Sequence, residues 1–311
     1  MYIQQFVEYL RLELNYSERT VASYLEDLVL FEQFLKGRDS ALTLLTADAD
    51  LVRAWVMQMM DAGYKSTSVN RKLSTLRTFY RYLRLRGVVD SSPVSGVKGP
   101  KNKKPLPQFV RASEMDELLD HVDLGEGFLG ARNRAVLDML YETGIRLAEL
   151  VGLNDQDVDL AVCQIKVTGK RDKQRIIPFG RELKATLQDY LELREEWLSQ
   201  RKQQDMETAR RGASAEQEAE RPFFYGTKGG RIPRHQVYLL VHDSLGKVST
   251  VKKKSPHVLR HTFATSMLNG GAELGAVKEL LGHDSLATTQ VYTHTTFEEL
   301  KDVYRKAHPR K

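Results

Sequence analysis

The sequence predicts a mainly α-helical protein with a small antiparallel β-sheet, built as an N-terminal four-helix domain and a larger mixed α/β domain. Three observations lead there. Apolar residues recur every three or four positions through residues 2–86 and through much of the second half, which is the period of a helix with one buried stripe. The period drops to two between Asp157 and Phe179. Between these regions, residues 91–108 hold four prolines, two glycines and four lysines, a composition that sustains no regular element. A chain of 311 residues also suits two cores better than one.

Taken in order, residues 2–14 pattern as a short amphipathic helix with Phe6, Tyr9 or Leu10, and Leu14 on one side. A second helix, 17–36, starts at a Ser17 cap, repeats Val21, Tyr24, Leu28, Phe31 and Leu35, and stops at Gly37. Thr46 is the expected cap of a third helix, with Leu51, Trp55 and Met59 inward. A fourth runs from Ser66 to Arg86 and buries Val69, Leu73, Leu76, Tyr80 and Leu83. These helices define a domain over residues 1–97, and residues 98–109 are a basic Pro/Lys connector.

The second domain, 110–311, opens with helices at 113–121 and 127–143, the latter ended by Gly144. Arg146 then stands at the start of a further helix, three residues before Glu149, at ion-pair spacing. Alternation at Cys163, Ile165 and Val167 gives one strand, Gly169 to Lys173 a basic turn, and Arg175 to Phe179 the returning strand. Helix 181–200 follows. Residues 201–220 are too polar to bury a face unaided and read as a polar insertion, an extension of the helix followed by a mobile loop. Pro222 to Gly226 reads as a short strand returning to the sheet, and a helix follows Pro233. A terminal helix over 296–307 places Phe297, Leu300 and Val303 or Tyr304 on one side.

Charge is distributed unevenly. Residues 1–62 carry five Lys/Arg against ten Asp/Glu, whereas residues 63–111 carry twelve against one, Asp90. Such segregation suits a surface that faces phosphates. The candidates for that surface are Arg71, Lys72, Arg77, Arg81 and Arg84 on the fourth helix, Lys101, Lys103 and Lys104 in the connector, and Lys252, Lys253 and Lys254 further on. The formal net charge of +6 allows a polyanionic partner. A single cysteine, Cys163, leaves no internal disulfide and fits a reducing compartment. No apolar run approaches the roughly 20 residues of a membrane span, and the N-terminus lacks the core of a signal peptide. A cytoplasmic location without membrane contact is expected.

The residues with most chemical content are gathered late in the chain. His257 and Arg260 are three apart, on one face of a helix. His283 directly follows Gly282, and Tyr292 comes nine residues later. Arginine offers a planar fork of donors to phosphate oxygens. Histidine exchanges protons near neutrality. Tyrosine can attack phosphorus, but with a reference pKa of about 10 it needs cations and a base beside it. His257 and His261 also stand at metal-pair spacing, although no HExxH glutamate lies between them and no metal is expected.

The ordered set Thr143-Gly-Ile-Arg146-x-x-Glu149-Leu150, His257-x-x-Arg260, Leu280-Leu-Gly-His283 and Tyr292 resembles the tyrosine recombinase (phage-integrase) family, with wording nearest the Xer-type site-specific recombinases. The resemblance implies a core-binding domain that clamps DNA and a catalytic domain of that family's fold. It implies catalytic roles for Arg146, Lys170, His257, Arg260, His283 and Tyr292, the nucleophile, with Lys173 competing with Lys170 at the hairpin turn. Glu149 and His261 would support them. In that scheme Tyr292 forms a 3′-phosphotyrosyl link and frees a 5′-hydroxyl, so that religation needs neither cofactor nor ATP. The sequence carries no P-loop and no acidic cluster suited to two metals.

The same resemblance implies double-stranded DNA with paired half-sites as substrate. It implies a monomer free in solution and a homo- or hetero-tetramer on two duplexes, acting with a second recombinase or a DNA translocase. The terminal helix would dock on its own domain or be exchanged between protomers. Because the chain starts directly at the core-binding domain, Xer-like resolution of chromosome or plasmid dimers is expected ahead of a minimal mobile-element integrase. A type IB topoisomerase shares the tyrosine chemistry, and a non-catalytic DNA-binding protein shares only the basic patch.

Overall fold

The computed structural model describes residues 2–102, 108–169, 173–208, 221–282 and 297–310, with main chain alone at 204–208 and 297. They fall into two units, Met1–Pro105 and Leu106–Lys311.

In the first unit, helix α1 (Tyr2–Glu8) continues as a π-helical turn over Tyr9–Glu13. Three longer helices follow: α2 (Glu18–Arg38), α3 (Ala49–Asp61) and α4 (Ser66–Leu85). Ser17 caps α2, its hydroxyl accepting from the Thr20 amide. The cap of α3 is Asp48 rather than Thr46: the Asp48 carboxylate accepts from the Leu51 amide at 2.8 Å. Thr46 is already committed to the preceding turn, where its hydroxyl accepts from the Thr43 amide. Val52, Trp55 and Met59 are buried in the core, and Leu51 packs against it partly buried. Phe31 and Trp55 pack with ring centres 4.8 Å apart, and Phe6 meets Phe79 edge to face at 5.1 Å. The polypeptide beyond α4 does not leave this unit at once. Val94 and Val97 are buried in its core, and Asn70 donates to the Pro100 carbonyl.

Among the described residues the second unit is helical around a three-stranded antiparallel sheet. Helix α5 (Ala112–Asp116) runs into a π-helical turn (Glu117–His121), then come α6 (Gly127–Thr143) and α7 (Leu147–Gly152). The strands are β1 (Val158–Asp159), β2 (Gln164–Thr168) and β3 (Gln174–Pro178), in the order β1-β2-β3 with Ile165 opposite Ile177. Ile165, Val167 and Ile177 face the core, as alternation requires. Then follow α8 (Arg181–Thr208), α9 (Arg234–Val248), α10 (Pro256–Asn269), α11 (Leu274–Leu281) and α12 (Phe297–Ala307).

One expectation needs correction. The Pro222–Gly226 segment does not join the sheet; it forms only isolated bridges, Asn154 with Pro222 and Tyr225 with Arg231. A proline cannot donate to a ladder, and the segment is held instead by Phe223, Phe224 and Tyr225, buried beside Tyr190. The helix that begins at Arg181 runs on to Thr208, the extension into the polar stretch that the sequence suggests.

Helix α12 packs on its own domain. Leu300, Tyr304 and Ala307 are buried in the core of the second unit, and the Tyr304 hydroxyl donates to Glu142 Oε2 at 2.9 Å.

Candidate active site

The site is organised by the C-terminus of α11. Helix α11 ends at Gly282, whose backbone is left-handed (φ 62°), a conformation glycine adopts without strain. A Cβ there would also lie 3.1 Å from the Arg175 side chain, a close approach that adds to the preference for glycine. The last carbonyls of a helix have no partner within it and carry the negative end of its dipole.

Three arginines from three other elements meet those carbonyls in succession. Arg175 on β3 donates through Nε to Leu280 O at 2.8 Å. Arg260 on α10 donates through Nη2 to Leu281 O, and through Nη1 to Gly144 O at 2.7 Å. Arg146, the residue preceding α7, donates through Nη2 to Gly282 O at 2.8 Å.

Glu149 sits under this group. Its Oε1 accepts from Arg146 Nη1 at 2.7 Å and Arg175 Nη1 at 2.9 Å, while Oε2 accepts from Arg175 Nη2 and the Arg146 amide, both at 2.9 Å. Burial alone would raise the Glu149 carboxyl, but the donors on Arg175 and Arg146 outweigh it and hold the group at about 2. Arg260 goes the other way. Burial first, and then the charges of Arg146 and Arg175, lower its guanidinium to about 10, so it remains charged at neutral pH but is short of negative partners. Three guanidinium groups against one carboxylate leave a net positive site that favours an anion.

A cleft of about 250 Å³ opens beside these groups. Arg146, Arg260, His257, Ser255 and Tyr238 line it together with Ile145. Helix α10 starts with Pro256 at its first position, which fixes the approach of the chain, and puts the exposed His257 in the first turn on the same face as Arg260. The Arg146 side chain is 37% exposed, compared with 14% for Arg175, so Arg146 is the one presented to a ligand. Arg146, His257 and Arg260 thus come together in one pocket. Lys170, His283 and Tyr292 lie outside the described residues. Lys173 is exposed at the β2–β3 turn, which closes through Gly169 N donating to Lys173 O at 2.7 Å.

The DNA-facing candidates separate into two groups. Arg77, Arg81 and Arg84 are exposed along α4 and line a groove of about 420 Å³ with the segment Ser92–Lys98. Lys101, Lys252 and Lys253 are exposed and Lys254 is half-buried; Lys103 and Lys104 lie outside the described residues. Lys72 is a correction. It is only 6% exposed, and its ammonium donates to the fully buried Asp27 at 2.7 Å. Arg71 grips the same carboxylate with two bonds, at 2.6 and 2.8 Å, and Thr75 adds a fourth donor. A buried carboxylate must be compensated, so both cations join α4 to α2; Lys72 does so from the interior, whereas the Arg71 side chain stays 44% exposed.

The residue that sequence reasoning missed is Arg175. Its partners lie 26 and 105 positions away, so no local spacing could reveal it.

Paired guanidinium groups beside a histidine in one cleft suit a phosphate-bearing substrate. A family model described as "Phage integrase family" matches residues 108–299, and one for the "Phage integrase, N-terminal SAM-like domain" matches residues 3–87. The tyrosine recombinase XerC of Chlorobaculum tepidum is 37% identical, the match covering 99% of this chain and 94% of that protein. XerC of Oceanobacillus iheyensis is 38% identical over 100% of this chain and 96% of that one. The chain therefore belongs to the phage integrase family and is a Xer-like tyrosine recombinase. Two solved structures share the fold. The XerH site-specific recombinase bound to difH substrate superposes with a TM-score of 0.66 at 21% identity, covering 96% of this chain and 82% of that one. The Tn1549 transposon integrase in complex with circular intermediate DNA gives 0.64 at 18% identity, covering 97% and 98%.

Proposed function

We propose that this recombinase resolves chromosome or plasmid dimers. In this reading it cuts double-stranded DNA at paired half-sites as a homo- or hetero-tetramer on two duplexes, in the cytoplasm. Full-length similarity to proteins named XerC supports it. Among the described residues no helix is long and apolar enough to cross a membrane.

The observation that carries the residue roles is the shared pocket of Arg146 and Arg260, both anchored on the end of α11. A phosphodiester in the cleft beside them receives guanidinium donors on its non-bridging oxygens, and these strengthen as charge builds in the transition state. Tyr292 attacks phosphorus in line. The bond from phosphorus to the 5′ oxygen breaks, leaving a 3′-phosphotyrosyl link and a 5′-hydroxyl. His257 takes the phenolic proton, and Lys170 gives one to the departing oxygen. His283 donates to the phosphate. Glu149 works through Arg146 rather than on the phosphate.

The test is a nicked suicide duplex carrying a candidate site, incubated with the protein and resolved on a denaturing gel. A covalent protein–DNA band is expected. Tyr292→Phe should abolish it while a gel shift shows unchanged binding. Survival of the band in that variant would overturn Tyr292 as the nucleophile. Dimer resolution itself is read from multimeric plasmids in cells lacking and regaining the gene.

A further inference from the structure

Arg175 shares the anchoring of Arg146 and Arg260 but not their exposure. All three of its guanidinium nitrogens are engaged, with Nε on Leu280 O and both Nη atoms on the two oxygens of Glu149. Its side chain is 14% exposed, and it is absent from the lining of the cleft. It is therefore turned toward the protein rather than toward the cleft, and it joins three segments of the site. Strand β3 leads back from the basic turn, Glu149 belongs to the helix that follows Arg146, and Leu280 lies in the last turn of α11.

We infer that Arg175 is a positioning residue for the strand-cleavage step. It fixes Glu149, and through Glu149 the fork of Arg146, against the end of α11. Glu149 Oε1 accepts from Arg175 and Arg146 together, so the carboxylate cannot turn to follow one arginine without leaving the other. Without Arg175, Glu149 has a single guanidinium partner and the Leu280 carbonyl loses its donor. Arg146 then draws onto the carboxylate, away from the position that meets the phosphate. A planar fork is needed for this; a lysine restores the charge but not the paired hydrogen bonds. Misplacement of a catalytic group by about 1 Å costs on the order of 10²-fold in rate.

The inference rests on the proposed role of Arg146, so the experiment separates the two. Single-turnover cleavage of the suicide duplex is measured at saturating DNA for the wild type, Arg175→Gln, Arg175→Lys, Glu149→Gln and the Glu149→Gln/Arg175→Gln pair, alongside thermal unfolding and DNA affinity. Arg175→Gln should cleave about 10- to 100-fold more slowly while its affinity stays within about threefold. Arg175→Lys should recover part of the rate at most. The double variant should be no more than about threefold slower than the slower single one, because both act along one route.

Wild-type cleavage by Arg175→Gln, or rate losses that multiply in the double variant, would overturn the assignment. If Arg175→Gln does not fold, Arg175→Lys is read by the same criteria; failure of both to fold makes Arg175 a purely structural residue and also overturns it. Absence of a covalent band from the wild type, or full activity in Arg146→Ala, tells against the proposed chemistry instead.

Discussion

Arg146 and Arg260 donate to adjacent carbonyls at the end of one helix, Gly282 O and Leu281 O. They reach it from separate elements, the turn before α7 and the first turns of α10. The spacing of their guanidinium groups is thus set by the backbone of a third element, one that neither belongs to. A site anchored on successive carbonyls is arranged before any ligand arrives, which is the condition under which fixed charges stabilise a transition state most.

Replacing either arginine by lysine should therefore be costly even though the charge stays. An ammonium cannot hold a carbonyl and a phosphate in the same plane. Arg146→Lys and Arg260→Lys should each lose about 10²- to 10³-fold in single-turnover cleavage. Arg260→Lys should also lower stability by about 1–3 kcal/mol, because Gly144 O and Leu281 O are then poorly matched. Cleavage within threefold of wild type for both variants would remove the guanidinium fork from the mechanism.

Glu149 gives a prediction about pH. Its carboxyl sits at about 2 when folded, against an ordinary 4.5. A depressed acid stabilises the fold above its unfolded value, and the contribution fades as pH falls from about 4.5 to 2. The shift corresponds to about 3 kcal/mol at neutral pH. Urea denaturation at a series of pH values should thus show wild-type stability declining across that window, with a shallower decline in Glu149→Gln. Parallel curves would mean that the bonds from Arg175 and Arg146 do not hold in solution.

What could be read from the sequence divides along physical lines. The buried stripes of α2 and α4, the Ile165–Ile177 hairpin and the stop at Gly144 follow from short-range periodicity and backbone conformation, which local sequence encodes. The pairing of Arg146 with Glu149 was likewise visible at three-residue spacing. Arg175 was not, since its role exists only once strand and helices have packed. Lys72 was misread for the same reason in reverse. It belongs to a basic stretch, and only the buried Asp27 on another helix makes it internal. The Asp48 cap was missed because Asp and Thr are both good caps, and the competing bond from Thr43 decides between them.

The base of α12 offers a second pH-dependent group. Asp138 is 2% exposed, and burial raises its carboxyl to about 6, only partly offset by the Thr186 hydroxyl donating to Oδ2 at 2.9 Å. Glu142, one turn further along α6, is also raised by burial, with Asp138 as the second cause. Glu182 opposes the Asp138 charge, whereas Arg310 and Arg134 favour it. The folded protein here binds the proton more tightly than the unfolded chain does, so stability declines as pH rises from about 4 to 6 and stays lower above that. Asp138→Asn should remove this penalty, gaining about 1–3 kcal/mol at pH 8 relative to its effect at pH 4. Thermal melts of both proteins at the two pH values test it, and an equal effect at both would refute it.

The two kinds of cation on α4 should respond in opposite ways to substitution. Lys72→Met leaves the buried Asp27 with Arg71 and Thr75 alone, and breaking a buried ion pair costs about 3–5 kcal/mol. That variant should be strongly destabilised, and whatever remains folded should bind DNA normally. Arg81→Ala and Arg84→Ala remove exposed charges, so stability should change by less than about 0.5 kcal/mol. DNA affinity should fall instead, and the slope of log affinity against log salt should shrink by about one for each phosphate left without its arginine. Urea melts and binding titrations at several salt concentrations separate the two behaviours. An unchanged salt slope for both arginine variants would take the α4 groove off the DNA.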